Sequence, residues 1–398
     1  MAAPDDLRVP PLLVFADDWG RHPSSCQHLV GHLLDRSEVC WVNTIGMRPP
    51  TLDLATLRRG LEKVRQWRGA PRPSGSRPVK PLVLSPKMWP WFRSDFDRRL
   101  NAKLLCRQLD RWVRSRPEPP IALTTIPMMA DLIGRLPVGR WVYYCVDDFS
   151  EWPGHDGKSV RTMEEVLARR ADILIAAGPV LRDRLEALSG RTPELLTHGV
   201  DLEFWKEGGL GGPMPELDGL ERPLIVFWGL IDRRIDVDYL AALTDDLKKG
   251  TVLLVGPESQ PDPRLRTFQR LAILPSMPLH RLPTLAREAS VLIMPYADLP
   301  VTRAMQPLKL KEYLATGLPA VVADLPSMRP WADCLDVAAT PKAFAAAVRH
   351  RIETGLPKDQ RVARNCLAKE SWSNKASDFE VMVMGTETRP ALRSTIRA

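Results

Sequence analysis

Short apolar runs rich in Val, Ile and Leu, such as LLVFA, TVLLV and AVVAD, recur along this chain at spacings of roughly 20 to 40 residues, with amphipathic stretches between them. A run with no polar alternation is buried on both faces, and such a strand needs helices above and below it. The rhythm therefore points to β-α units wound around parallel sheets, an α/β fold. In the first half, strands are expected at Leu12–Ala16, Val39–Asn43, Leu82–Ser85, Ile121–Thr125, Trp141–Val146 and Ile173–Ala176, with a short one near Leu195–Thr197. Helices are expected between them at Ser24–Leu34, Phe96–Arg114, Met128–Gly134, Thr162–Arg170 and Val180–Leu188.

The chain has 398 residues, more than one core ordinarily organises, so two domains are expected. The stretch GGLGGPMPELDGLERP interrupts the rhythm. It separates an N-terminal Rossmann-like domain, 1–205, by a linker, 206–222, from a second doubly wound domain, 223–375. Residues 376–398 read as a helix returning to the first domain and a frayed tail. The second domain should have strands at Leu224–Trp228, Thr251–Val255, Met277–His280, Val291–Met294 and Ala320–Ala323. Its helices are expected at Asp238–Asp246, Thr284–Glu288, Pro307–Thr316 and Pro341–Glu353. Ligands of such sheets sit outside the carboxyl ends of the strands, so function is sought in the loops that follow them, facing a cleft between the domains.

Several classes are set aside. No apolar run reaches the roughly 18 residues of a membrane span. The N-terminus, MAAPDDLRVP, carries acids where a secretory signal is basic, so a cytoplasmic location is expected. The six cysteines are scattered without a C-x-x-C pair, as in a reduced protein with no metal cluster. P-loop, G-x-G-x-x-G, H-E-x-x-H and G-x-S-x-G motifs are all missing. The net charge of +8 is concentrated locally: Arg58, Arg59, Lys63, Arg65, Arg68, Arg72, Arg77 and Lys80 face only Glu62. With Trp67 and the following KMWPWFR, this stretch suggests an anionic membrane surface as a partner. No nucleic-acid-binding module accompanies it, and nucleic acid is not expected as a partner.

Three loops carry chemistry. After the first strand, ADDWGRHPSSCQHL offers Ser24 or Ser25 as a helix cap and His22 as a catalytic or binding candidate. VYYCVDDFSEW ends in Asp147 and Asp148; adjacent residues on a strand point opposite ways, so one acid would face the cleft and the other cap a turn. In MQPLKLKEYLATGLPAVVADLP, Pro307 opens a helix and Gly317 closes it. Helical periodicity puts Lys309, Glu312, Tyr313 and Thr316 on one face, with Leu310 and Leu314 toward the core. The helix start and its Lys suit a diphosphate, and Glu312 suits a ribose diol. An exposed Lys–Glu pair at i,i+3 is the alternative.

PLKLKEYLATGLPAVV resembles the donor-domain helix of the retaining GT-B glycosyltransferases of family 4. HGVDLEFW, FWGLIDRRIDVDYL, REASVLIMPY and ESWSNKA resemble further family segments in the same order, over most of residues 195 to 380. DDWGRHPSS, WVNTIGMRPP and VYYCVDDFS look like a bacterial subgroup associated with cell-surface polysaccharides. The resemblance implies two facing Rossmann-like domains and transfer of a sugar from a nucleotide-diphosphate donor to an acceptor hydroxyl with retention of configuration. It implies ribose binding by Glu312 and a diphosphate grip by Arg234, with Arg233 as its rival. Gly229, Leu308, Lys309 and Tyr313 would line the same donor site. The family's second Glu is replaced by Ala304, and its first-domain His falls near Asp147 or Asp148. The acceptor would be a glycan or lipid-linked. No cofactor and no metal are implied, because helix N–H groups, Arg234 and Lys309 would stabilise the leaving diphosphate, and in the family the departing phosphate takes the acceptor's proton, so that no protein nucleophile is called for. A nucleotide-sugar 2-epimerase of the same architecture and a non-catalytic nucleotide-sugar-binding module are the alternatives.

Overall fold

The computed structural model describes residues 9–20, 24–45, 80–152, 154–207, 212–306 and 308–384. His22 and the basic residues from Arg58 to Arg77 lie outside them. The chain forms two units, one running through Thr197 and taking in the residues from Ser373 on, the other comprising His198–Trp372.

In unit 1 the described strands are β1 (Leu12–Ala16), β2 (Val39–Asn43), β3 (Leu82–Leu84), β4 (Ile121–Thr124), β5 (Arg140–Cys145), β6 (Ile173–Ala176) and β7 (Glu194–Leu195). They make one parallel sheet in the order β3-β2-β1-β4-β5-β6-β7. Helices α1 (Ser25–Gly31), α2 (Asp95–Arg114), α3 (Gly157–Arg170) and α4 (Pro179–Ser189) accompany it. Every residue of β1, β2 and β4 is buried, as the unalternating apolar runs require.

Unit 2 repeats the plan. Strands β8 (Leu224–Trp228), β9 (Thr251–Val255), β10 (Leu271–Leu274), β11 (Val291–Met294), β12 (Ala320–Ala323) and β13 (Asp336–Ala338) form a parallel sheet in the order β10-β9-β8-β11-β12-β13. Its helices are α5 (Leu202–Glu207), α6 (Val237–Asp246), α7 (Leu282–Glu288), α8 (Pro300–Ala304), α9 (Leu308–Ala315), α10 (Pro341–Thr354) and α11 (Lys358–Ala363). In both sheets the strand order reverses beside the first strand, at β1/β4 and at β8/β11. Those reversals are the switch points where a doubly wound sheet opens a crevice at its carboxyl edge.

Some expected elements differ. The strand expected at Met277–His280 is Leu271–Leu274, because Pro275 ends the apolar run and Pro278 removes a ladder donor; a 3-10 turn, Leu279–Arg281, stands there instead. The helix expected at Met128–Gly134 is a 3-10 segment, Pro127–Leu132. The edge strand β13, only DVA, and the five-residue α8 are too short to leave a periodic signal.

The chain passes between the units at two points that lie side by side within unit 2. Val200 pairs in parallel with Ser371, Val200 N–H donates to Glu370 O at 2.8 Å, and Trp372 N–H donates to Val200 O at 3.3 Å. This division precedes residues 206–222, because α5 already packs with unit 2: Trp205 stacks on Trp228 at 5.5 Å. From Ser373, helix α12 (Trp372–Met384) lies on unit 1, where Arg36 holds Glu380 through two hydrogen bonds of 3.0 and 2.7 Å. At the crossing, Gly199 leaves room for Trp372, whose ring would stand 2.6 Å from an added Cβ. Gly199→Ala should therefore lower unit 2's unfolding midpoint by the equivalent of about 1–3 kcal/mol, the usual penalty of overpacking. Calorimetric melting measures this, and an unchanged midpoint would show that the crossing yields freely.

Candidate functional site

The carboxyl edge of unit 2 is built around the end of β8. Gly229 follows the strand at φ 142°, a conformation that disfavours a side chain, and donates its N–H to Val255 O at 2.9 Å. The side chain of Lys309 runs over it: a Cβ at Gly229 would meet Nζ at 2.5 Å. Lys309 Nζ also lies 5.7 Å from the Phe227 ring centre and 5.8 Å from that of Tyr296. The backbone conformation favours glycine here, and the flexible end of Lys309 occupies the volume that its missing side chain leaves.

Helix α9 is fixed along its length. The Tyr313 hydroxyl accepts from the Trp228 backbone N–H at 3.2 Å, and the two rings meet edge to face at 4.3 Å. Lys311, itself buried, bonds to His198 O and to the Glu370 carboxylate. Beyond its end, the Arg364 guanidinium donates to Leu314 O at 3.3 Å, Leu318 O at 2.8 Å and Cys334 O at 2.9 Å; burial lowers its pKa to about 10. Leu308 is half-buried at the helix start.

The expected grouping of Lys309, Glu312 and Tyr313 is corrected in one respect. Tyr313 is fully buried against Trp228, whereas Lys309, Glu312 and Thr316 are half-exposed. The periodicity was right, but that helix face rests partly on an indole the sequence does not place there. Glu312 Oε2 accepts from Trp228 Nε1 at 3.4 Å. Burial raises the Glu312 pKa above the ordinary glutamate value, opposed by that hydrogen bond and by Lys309. Among the described residues no salt bridge joins Lys309 to Glu312. Ala304, where the family pattern has a second Glu, is buried at the end of α8.

The loop after β8 is laced to its neighbours by Ile231 N–H to Pro257 O (2.9 Å), Asp236 N–H to Pro295 O (2.8 Å) and Ala297 N–H to Arg234 O (2.8 Å). Within it Arg234 is buried, and its Nε donates to both Asp232 oxygens at 3.0 and 3.1 Å. Its neighbour Arg233 is exposed. The two arginines thus take different environments, one oriented by an acid and one open to solvent.

In unit 1, Asp148 is buried and structural. It caps the turn Phe149–Glu151 by accepting from Ser150 N–H (3.1 Å) and Oγ (2.6 Å), and it forms an ion pair with Arg184. Arg184 also pairs with Glu164, which accepts from the Tyr143 hydroxyl at 2.8 Å. Burial raises the pKa of Glu164, opposed first by Arg184. Asp147 is half-buried beyond the end of β5, and its Oδ1 accepts the Asp148 N–H at 2.8 Å. A second cluster, not anticipated, forms beyond β1. Asp17 accepts from Ser24 Oγ at 2.9 Å and Gln27 Nε2 at 3.0 Å, and the surrounding protein raises its pKa against those bonds. Trp19 N–H donates to Asn43 Oδ1 at 3.0 Å, and its ring meets Trp41 edge to face at 4.8 Å. The signal for Asp17 in the sequence is its place in DDWG, directly after the first apolar run. Among the described residues no group of three or more His, Cys, Asp or Glu side chains gathers as metal ligands would.

No protein-family model matches the chain. Over 179 residues it is 27% identical to TuaH of Bacillus subtilis, a protein provisionally described as a teichuronic acid biosynthesis glycosyltransferase. That match covers 43% of this chain and 45% of TuaH, so it spans less than half of either. Solved structures resemble it over almost its whole length. Sucrose-phosphate synthase from Thermosynechococcus elongatus gives a TM-score of 0.66 at 14% identity, covering 93% of this chain and 97% of that one. α,α-Trehalose 6-phosphate synthase from Burkholderia multivorans gives 0.62 at 14% identity, covering 95% and 98%. Anabaena HepE, solved with UDP and glucose, gives 0.60 at 12% identity, covering 92% and 97%. The fold is that of the two-domain, parallel-sheet GT-B architecture.

Among the described residues, Arg184 is the one cation paired with both Asp148 and Glu164. Arg184→Ala leaves two buried carboxylates unpaired and should destabilise unit 1 by about 3–5 kcal/mol. Urea unfolding measures the loss; a loss under about 1 kcal/mol would show that the carboxylates bind protons or water at little cost.

Proposed function

We propose that this protein is a glycosyltransferase that moves a sugar from a nucleotide-diphosphate donor to an acceptor hydroxyl with retention of configuration, in the synthesis of a polysaccharide or glycolipid. The observation that carries the reading is the pairing, at one switch-point edge, of Lys309 over Gly229 with Glu312 one turn along the same helix. A cation beside a bare backbone suits a diphosphate, and a carboxylate held by an indole N–H suits a ribose diol. TuaH and the UDP complex of HepE support the same class of substrate.

Transfer breaks the bond between the sugar's anomeric carbon and the phosphate oxygen. It forms one to the acceptor oxygen, whose proton passes to the departing phosphate. Negative charge gathers on the diphosphate, and stabilising it is the main service a protein can render. Lys309, the N–H groups at the start of α9 and Arg234, oriented by Asp232, take that role, with exposed Arg233 as the rival to Arg234. Asp147 is the acid of the former pair left to orient the acceptor, since Asp148 serves the turn and Arg184. The reaction needs no metal on this scheme, so initial rates should be unchanged in EDTA. A loss restored by Mn or Mg would contradict it.

Glu312 provides the sharper test. Hydrogen bonds to a charged group are worth about 1.5–3 kcal/mol each, so Glu312→Ala should weaken nucleotide binding by about 2–4 kcal/mol, roughly 30- to 1000-fold. Folding should be little changed, because alanine favours the helix. Binding draws on the ionised carboxylate. Affinity should therefore be full above the Glu312 pKa and fall as pH drops through it, beginning above the ordinary glutamate range because burial raises that pKa. In Glu312→Ala this pH dependence should vanish. Calorimetric titration with UDP, GDP, ADP and dTDP measures both effects. Unchanged affinity in a folded variant would remove the assignment.

A further inference from the structure

Helix α2 turns one row of cations outward. Arg99, Lys103, Arg107 and Arg111 stand at i, i+4, i+8 and i+12, forming a ridge about 18 Å long at 1.5 Å per residue. All four are exposed, and among the described residues none has an ion-pair partner. The neighbouring acids are engaged elsewhere: Asp110 by Arg114 at 2.8 Å, Asp95 beside Arg98 at 3.8 Å. Like charges four residues apart destabilise a helix. This ridge holds three such pairs in succession with no internal compensation.

Alongside lies the segment Lys87–Phe92, clamped to the helix by side-chain amides. Gln108 exchanges two hydrogen bonds of 2.9 Å with the Lys87 backbone. Asn101, buried, accepts from Trp89 N–H at 2.8 Å and donates to Trp89 O and Trp91 O at 3.0 Å each. The result is a rigid display of two indoles: Trp89 and Trp91 are each 37% exposed with ring centres 4.8 Å apart, and Phe96 at the helix start is 69% exposed. A buried amide that orders exposed tryptophans beside uncompensated cations has no evident use in the unit's own core.

We propose that this face of unit 1, the α2 ridge with Trp89, Trp91 and Phe96, docks on an anionic lipid bilayer. Cations are drawn to acidic headgroups, and indoles settle at the boundary between headgroups and acyl chains. A soluble polyanion would satisfy the ridge but not the aromatic side chains. Among the described residues no helix is long and apolar enough to cross a membrane, so the contact is a surface one. The proposal does not depend on the reaction described above.

Co-sedimentation of the full chain with phosphatidylcholine vesicles containing 30% phosphatidylglycerol, and with pure phosphatidylcholine, tests it. Binding should require phosphatidylglycerol at low salt and weaken as salt screens the ridge. Each cation should contribute about fivefold to partitioning. The variant Arg99→Gln, Lys103→Gln, Arg107→Gln, Arg111→Gln should therefore lose about 600-fold while keeping its circular dichroism and a melting point no lower than that of the parent. If that variant fails to fold, the pairs Arg99→Gln with Lys103→Gln and Arg107→Gln with Arg111→Gln should each lose about 25-fold. Trp91→Ser should weaken binding that persists at high salt. Equal binding to both vesicle types, no binding to either, unchanged binding of the folded charge variants, or binding only to a single-stranded DNA or heparin competitor would each overturn the proposal.

Discussion

The contact of Trp228 with α9 sets the geometry of everything else at the unit 2 edge. Trp228 ends β8; its backbone N–H and its ring both meet Tyr313 of the helix, and its indole N–H meets Glu312. On its other face it stacks nearly parallel to Trp205 of α5. A bulky, planar side chain has few ways to satisfy all these contacts at once, so the helix has one register on the sheet. That register brings Lys309 over Gly229 and leaves Glu312 partly exposed. Lys311 then links the same helix to His198 and Glu370, within the segments where the chain enters and leaves unit 2.

The two carboxyl edges use acids in opposite ways. In unit 1 the conspicuous pair Asp147–Asp148 divides, one member held in a buried network with Arg184, Glu164 and Tyr143, the other left near the surface. Buried ion pairs of this kind contribute little net stability but fix one arrangement strongly, because removing any member strands a charge. In unit 2 Asp232 is likewise paired, with Arg234, but among the described residues Glu312 has no salt bridge and accepts from an indole N–H. It is thereby left with acceptor capacity for a ligand.

The strands buried on both faces were legible in the sequence almost to the residue, as at Val39–Asn43, Leu224–Trp228 and Val291–Met294, since continuous apolar runs have one reading in this class. What escaped was local and short. Pro275 and Pro278 shift a strand that hydrophobicity alone places too late, and β13 has too few residues to show a pattern. At the sites, sequence spacing gave the helix face but not the indole beneath it, so Tyr313 read as a ligand-facing residue when it is part of the core. The Arg184–Glu164 network joins residues 20 apart, and the Trp228–Glu312 contact joins residues 84 apart. Neither separation leaves a trace in one sequence.

The most direct measurement follows each of UDP-, GDP-, ADP- and dTDP-sugars with the protein, in the presence and absence of a membrane extract that supplies glycan and glycolipid acceptors. Consumption of one donor only when the extract is present is expected. It should yield the nucleoside diphosphate and a glycosylated product whose new bond keeps the donor's anomeric configuration. Conversion of the donor sugar to an epimer without any acceptor, or binding with no turnover of any donor, would contradict a transferase built on this helix.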